Sequence, residues 1–146
     1  MAIWFGTPST ALMRQLQSST MAEHLGIEIT VFGEDWLRGT MPVDERTRQP
    51  AGLLHGGASL ALAETLGSIG AICCVDRDRY SCVGQEINAN HLRAVTSGLV
   101  IGTARPFHIG VRSQVWGIEI RDERDRPVCI SRLTMAVLDR PTPVAR

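Results

Sequence analysis

Residues 54–75 read LHGGASLALAETLGSIGAICCV, and the reading of this stretch decides the fold. From Ala58 onward the apolar residues recur at helical spacing, so that Ala58, Leu62, Leu66 and Ile69 share one face. A helix over residues 58–75 with so little polar surface has to be buried on most sides. The preceding residues 44–57 are polar, then glycine-rich, and read as the loop that delivers the chain into the helix. The run carries Glu64 and is interrupted by Gly67, Ser68 and Gly70, so it is expected to fall short of a membrane span.

On either side the period changes. Ser9 or Thr10 can cap a short helix running to about Gln17. Gly26 breaks the pattern, and residues 27–31 then alternate apolar and polar as a strand does. A turn at 33–35 and a returning strand over 36–41 follow, ended by Pro42. Beyond the long helix, a turn at 76–79 leads to strand-like runs at 82–92, 98–109, 111–121 and 128–138. Pro106, late in the second of these, predicts an edge or an end there. In the third, Gln114, Trp116, Ile118 and Ile120 share one face. The short charged segment 122–126 reads as a hairpin turn, and the tail with Pro141 and Pro143 is expected to fray. The order is helix, two strands, helix, four strands, with hairpins that imply antiparallel pairing. This predicts a single α+β domain, residues 1–146, with one long helix packed on the sheet.

The chain has 146 residues, enough to bury roughly 70% of its extended surface without a disulfide or metal. Its 15 basic and 15 acidic residues balance, which argues against a nucleic-acid binder and leaves self-association unopposed. Every basic residue among Lys and Arg is Arg. A Schiff-base or phosphate-loop lysine is therefore excluded, and any anion must be met by Arg, His or backbone N–H groups. Cys73, Cys74, Cys82 and Cys129 form no CxxC pair and read as reduced thiols in a reducing compartment. The first twelve residues lack the basic start and long apolar run of a signal peptide, so a cytoplasmic protein without membrane contact is expected.

Glu64 is the one carboxylate of the long helix, and Ser68 follows it by one turn on the same face. Small neighbours make this either the floor of a cleft or a solvated rim of the helix. Upstream, Gly56 and Gly57 stand where the loop becomes the helix. Their N–H groups can polarise a carbonyl oxygen, or the glycines relieve strain at the turn. His55 reads as a capping, core or functional histidine. No GxSxG, HExxH, GxGxxG or GxxxxGK[ST] occurs, so serine hydrolase, zinc protease and nucleotide-dependent chemistries lack support.

The stretch QPAGLLHGG at 49–57, with Glu64 seven residues after the last glycine and then Ser68, resembles the hotdog-fold acyl-CoA thioesterases. It is nearest the 4-hydroxybenzoyl-CoA thioesterase branch that uses a helix glutamate, with its phenylacetate-pathway and 1,4-dihydroxy-2-naphthoyl-CoA relatives. The likeness spans roughly residues 8–139. It implies a curved antiparallel sheet wrapped around the helix, edge-to-edge dimers that pair into tetramers, and a site shared between subunits. It implies Glu64 as nucleophile or general base and Gly56 N–H as the donor to the thioester oxygen. His55 would orient the thioester or leaving group, and Gln49 would lie near the acyl group and attacking water. Ser68 would supply a hydroxyl where these enzymes often have threonine. No cofactor is implied, because CoA belongs to the substrate.

The phosphates of CoA need positive partners. His91 and Arg93 are preferred because alternation puts them on one strand face, and Arg105, His108 and Arg112 are further candidates. Each could equally serve solubility. The expected reaction is hydrolysis of an acyl-CoA, with an aromatic acyl group. The alternatives are a non-hydrolytic hotdog hydratase or dehydratase, and an acyl-CoA-binding module without turnover.

Overall fold

The computed structural model describes residues 1–141. Pro143, in the tail expected to fray, lies outside the described residues. Two short helices, α1 (Thr10–Leu16) and α2 (Met21–His24), precede the hairpin β1 (Glu28–Phe32) and β2 (Leu37–Pro42). The long helix α3 (Gly56–Cys73) leads to β3 (Tyr80–His91), β4 (Leu99–Ile109), β5 (Ser113–Asp122) and β6 (Pro127–Asp139). The six strands form one antiparallel sheet in the order β1-β2-β4-β5-β6-β3, and α3 packs against β2 to β6. The expected α+β architecture is the one found.

Local chemistry explains most boundaries. Ser9 caps α1, its hydroxyl accepting the Leu12 N–H at 3.3 Å. Helix α2 was not anticipated. It ends where Gly26 adopts φ 71°, with Ile27 N–H donating to Ala22 O and Gly26 N–H to Glu23 O, a glycine-dependent helix stop. Pro106 falls where β4 has run past its last β2 partner, Ala104, and a bulge follows before His108. The strand is an edge only there, although β4 is internal along most of its length.

The buried face of α3 is made by Ala58, Leu62, Ala63, Leu66, Gly67, Gly70 and Ala71, among others. Ile69, expected on this face, is half-buried on the flank toward α1 and α2. That flank, which also carries Leu60, Ala61, Glu64, Thr65 and Ser68, is not covered by the sheet, so the helix is less enclosed than its composition predicts. By length and composition α3 could cross a membrane, contrary to expectation, and it is packing that makes it a core helix: half of its residues are buried. Fully burying Leu62 and Leu66 contributes roughly 1.5–3 kcal/mol each.

Against α3 lies Trp116, fully buried, with the other inward residues of β5 beside it. Its indole N–H donates to Gln114 Oε1 at 3.0 Å, and Gln114 Nε2 donates to Ala71 O at 3.3 Å. A buried glutamine is thus satisfied by tying strand to helix. Trp4, from the N-terminal segment, stacks on Trp116 at 6.4 Å between centroids.

The helix comes this close to the sheet only because glycines line the contact. A Cβ at position 70 would stand 2.6 Å from the Trp116 ring, and one at 67 would stand 2.5 Å from Leu133 Cδ2. Gly70→Val forces overpacking that costs about 1–3 kcal/mol. Thermal unfolding followed by circular dichroism should show a Tm lowered by about 2–4 °C for each kcal/mol in a chain near this size.

Candidate active site

The loop entering α3 is tied down from within. Buried Thr47 donates through Oγ1 to Pro42 O at 2.7 Å, and its own carbonyl accepts the His55 N–H at 2.8 Å. Gly52, at φ 80°, allows the turn in which its N–H donates to Gln49 O, and Gln49 Oε1 accepts the Ala51 N–H. The Gln49 side chain is thereby oriented by its own loop.

His55 is the N-cap of α3. Its Nδ1 accepts the Gly57 N–H at 2.8 Å. An accepting Nδ1 leaves the ring proton on Nε2, which can therefore donate. With Gly57 N–H used by the cap, Gly56 N–H remains an orphan donor of the first turn, at the positive end of an 18-residue helix. Helix α3 begins at Gly56, two residues earlier than its apolar spacing predicts. Neither glycine has a left-handed φ, so relief of backbone strain is not what they provide. Gly56 is instead overlain by the His91 ring. A Cβ at 56 would stand 2.7 Å from His91 Nε2.

The sequence-derived site residues fall into two cavities, except His55, which is exposed and lines neither. Gln49, Gly56, His91 and Arg93 line one of about 400 Å³ at the N-terminal end of α3. Glu64 and Ser68 line another of about 510 Å³, walled by Leu60, Ile69, Leu25, Ile87 and residues of α1 and α2. Apart from Gln17, Thr20 and Thr65, that wall is aliphatic or small. Glu64 is exposed to it, with Gly84 of β3 against its carboxylate. Ser68 shares the helix face of Glu64 but does not bond to it; its Oγ lies 3.7 Å from Met135 Sδ.

Arg93 lies two residues beyond the end of β3, so strand alternation does not extend to it. The N–H groups of Leu92 and Arg93 both donate to Val128 O, and this bend carries Arg93 into the same cavity as His91. Arg105 and Arg112 are engaged elsewhere, pairing with Asp35 at 2.9 Å and Asp139 at 2.7 Å. His108 lies at the β4–β5 turn against Gly110.

Among the described residues no cluster of His, Cys, Asp and Glu could hold a metal ion. Burial pushes the Cys73 thiol up to about 11 and the Cys74 thiol up to about 12, which keeps both protonated and poorly nucleophilic at neutral pH.

Sequence reading missed two contributors, Thr47 and Gly84. Gly84 alone left a signal, as an isolated glycine inside a strand pattern.

Residues 51–129 match the model of the thioesterase superfamily. A Cronobacter sakazakii protein named proofreading thioesterase EntH is 51% identical over 136 residues, covering 93% of this chain and 98% of that protein. The 1,4-dihydroxy-2-naphthoyl-CoA hydrolase of Escherichia coli K12 is 46% identical over 136 residues, covering 93% and 99%. Among solved structures, a glutamine-to-alanine variant of thioesterase PA1618 from Pseudomonas aeruginosa superposes with a TM-score of 0.93 at 46% identity. That match covers 94% of this chain and 99% of that one.

Proposed function

The chain belongs to the thioesterase superfamily, as a hotdog-fold thioesterase acting on acyl-CoA thioesters, and we propose that it hydrolyses an aromatic acyl-CoA to the free acid and CoA. The observation that carries this reading is Glu64 itself, an exposed carboxylate on the wall of a largely aliphatic cavity of about 510 Å³. That space accommodates a bicyclic acyl group. The similarity to the E. coli naphthoyl-CoA hydrolase supports an aryl substrate over a linear one.

The chemistry needs an electrophilic grip on the thioester oxygen and an attacking oxygen about 3–3.5 Å from the carbonyl carbon. Gly56 N–H supplies the grip, and the α3 N-terminus favours the negative charge that develops there. His55 Nε2–H is available as a second donor, to the thioester or the leaving sulfur. Glu64 either attacks the carbonyl carbon, forming an anhydride that water then opens, or takes a proton from a water held with Gln49 and Ser68. In both routes the C–S bond breaks, the sulfur leaves with the electron pair and is protonated to CoA, and water supplies the oxygen and proton of the acid. Arg93 holds a phosphate of CoA at the mouth of the smaller cavity, whereas His91, expected beside it, has its ring over Gly56 and stands at the thioester end.

Glu64 and the Gln49–Gly56 group line separate cavities of one chain, so the reading calls for a second copy to complete each site. The 12-residue β3 is an edge strand with an exposed outer row, suited to pairing with its counterpart in a two-fold dimer, and a dimer of dimers follows the same reading.

Glu64→Gln should fold, bind acyl-CoA and lose about 10²-fold or more in kcat, the scale of a general base. Glu64→Asp, with its oxygen withdrawn by about 1 Å, should lose on the order of 10²-fold. A panel of aromatic, short-chain and long-chain acyl-CoAs, read by thiol release, identifies the substrate; full kcat in the Gln variant on the best of them refutes the mechanism.

Arg93→Ala should raise KM for acyl-CoA far more than it lowers kcat, while an acyl-pantetheine substrate without nucleotide phosphates is indifferent to it. Equal losses on both substrates point to structural damage instead.

Inactive Glu64→Gln and Gln49→Ala chains, unfolded and refolded together, should regain about a quarter of wild-type activity. Half of the random dimers are then mixed, and each of those has one intact site out of two. No recovery, or a fully active monomer in light scattering, refutes the shared site.

A further inference from the structure

Glu64 extends from α3 across to β3 and rests on a position that has no side chain. A Cβ at position 84 would stand 2.5 Å from Glu64 Oε1, far inside contact distance. Gly84 does not have a left-handed φ, so its backbone makes no demand for glycine. What a side chain there would displace is the carboxylate.

The ladder between β3 and β6 breaks at the next residue. Gly84 faces Met135 and Glu86 faces Thr134, so Gln85 is an extra residue with no partner. Such a bulge shifts the alternation by one and re-aims every side chain beyond it. Before the bulge, Cys82 and Gly84 face α3; after it, Ile87, Ala89 and His91 do. An unbroken strand could present Gly84 to Glu64 or His91 to Gly56, but not both.

We propose that Gly84 is a positioning residue for Glu64: its missing side chain is the seat that sets where the carboxylate stands, and the Gln85 bulge keeps that seat in register with His91 over Gly56. The proposal rests on Glu64 being the reacting group. It predicts opposite signs for stability and turnover. Glycine in a strand interior weakens the strand, so Gly84→Ala should fold with an equal or higher Tm. The same change pushes Oε1 away by about 1 Å, and kcat should fall on the order of 10²-fold with KM little altered.

The test measures Tm, oligomeric state, kcat and KM for Gly84→Ala, Glu64→Asp, Glu64→Gln and the Gly84→Ala/Glu64→Asp double variant. The shorter aspartate is already withdrawn from position 84, so the double variant should be no slower than Glu64→Asp alone. Gly84→Ala with wild-type kcat, beside an inactive Glu64→Gln, overturns the seat and leaves the role of Glu64 standing. Losses that multiply in the double variant, or a fall in kcat accompanied by a lower Tm or altered assembly, also overturn it. Full activity in Glu64→Gln removes the proposal together with the reading beneath it.

Discussion

The close approach of α3 to the sheet is the constraint on which the other features depend. Leu62, Leu66 and Trp116 can all be fully buried only if helix and sheet stand near enough to exclude water between them. Glycines make that distance possible: Gly67 and Gly70 on the helix, and Gly102 of β4, where a Cβ would stand 2.5 Å from Leu66 Cδ1. The Trp116–Gln114–Ala71 hydrogen-bond chain then fixes the helix along its axis. Once α3 is immobile, so are the two things it carries: an N-terminus with a free donor at Gly56, and a carboxylate two turns further along.

The seam between α3 and β3 repeats the same device for a different purpose. Gly56 on the helix accepts the ring of His91 from the strand, and Gly84 on the strand accepts the carboxylate of Glu64 from the helix. In the core, glycine admits apolar bulk and contributes stability. At the seam it admits polar side chains, and the gain is in orientation. A rigid helix and a strand pinned to β6 on both sides of Gln85 are the kind of support that catalytic groups need, because loops would leave them too loose.

The division of the candidate site into two cavities follows from the length of the helix. Gly56 and Glu64 are eight residues apart, so about 12 Å of helix axis separates them. No single thioester carbonyl can lie within bonding distance of both in one chain. A two-fold axis beside the β3 edge, as the proposed function requires, would resolve this by bringing the Glu64 of one copy to the Gly56 of another.

Much of this was legible in the sequence, because much of it is local. The 3.6-residue period marked α3, the two-residue period marked the inward row of β5 from Gln114 to Ile120, and the pair Ser9 and Thr10 marked the start of α1. His55, Gly56, Gly57 and Glu64 stood out because a helix so apolar gives its few exceptions meaning. The sequence by itself therefore determined the element order apart from α2, the α+β class and the chemical groups of the candidate site. It did not determine that His91 lies over Gly56, that Arg93 bends out of the strand, that Ile69 turns to the flank, or that Ser68 points to Met135. Those facts depend on the distance between segments far apart in the chain, and on one unpaired residue, Gln85, that reverses the facing of half a strand. Periodicity reports which residues of one element share a side; only the packed structure decides what that side meets, because contact is a property of two surfaces and each sequence pattern describes one.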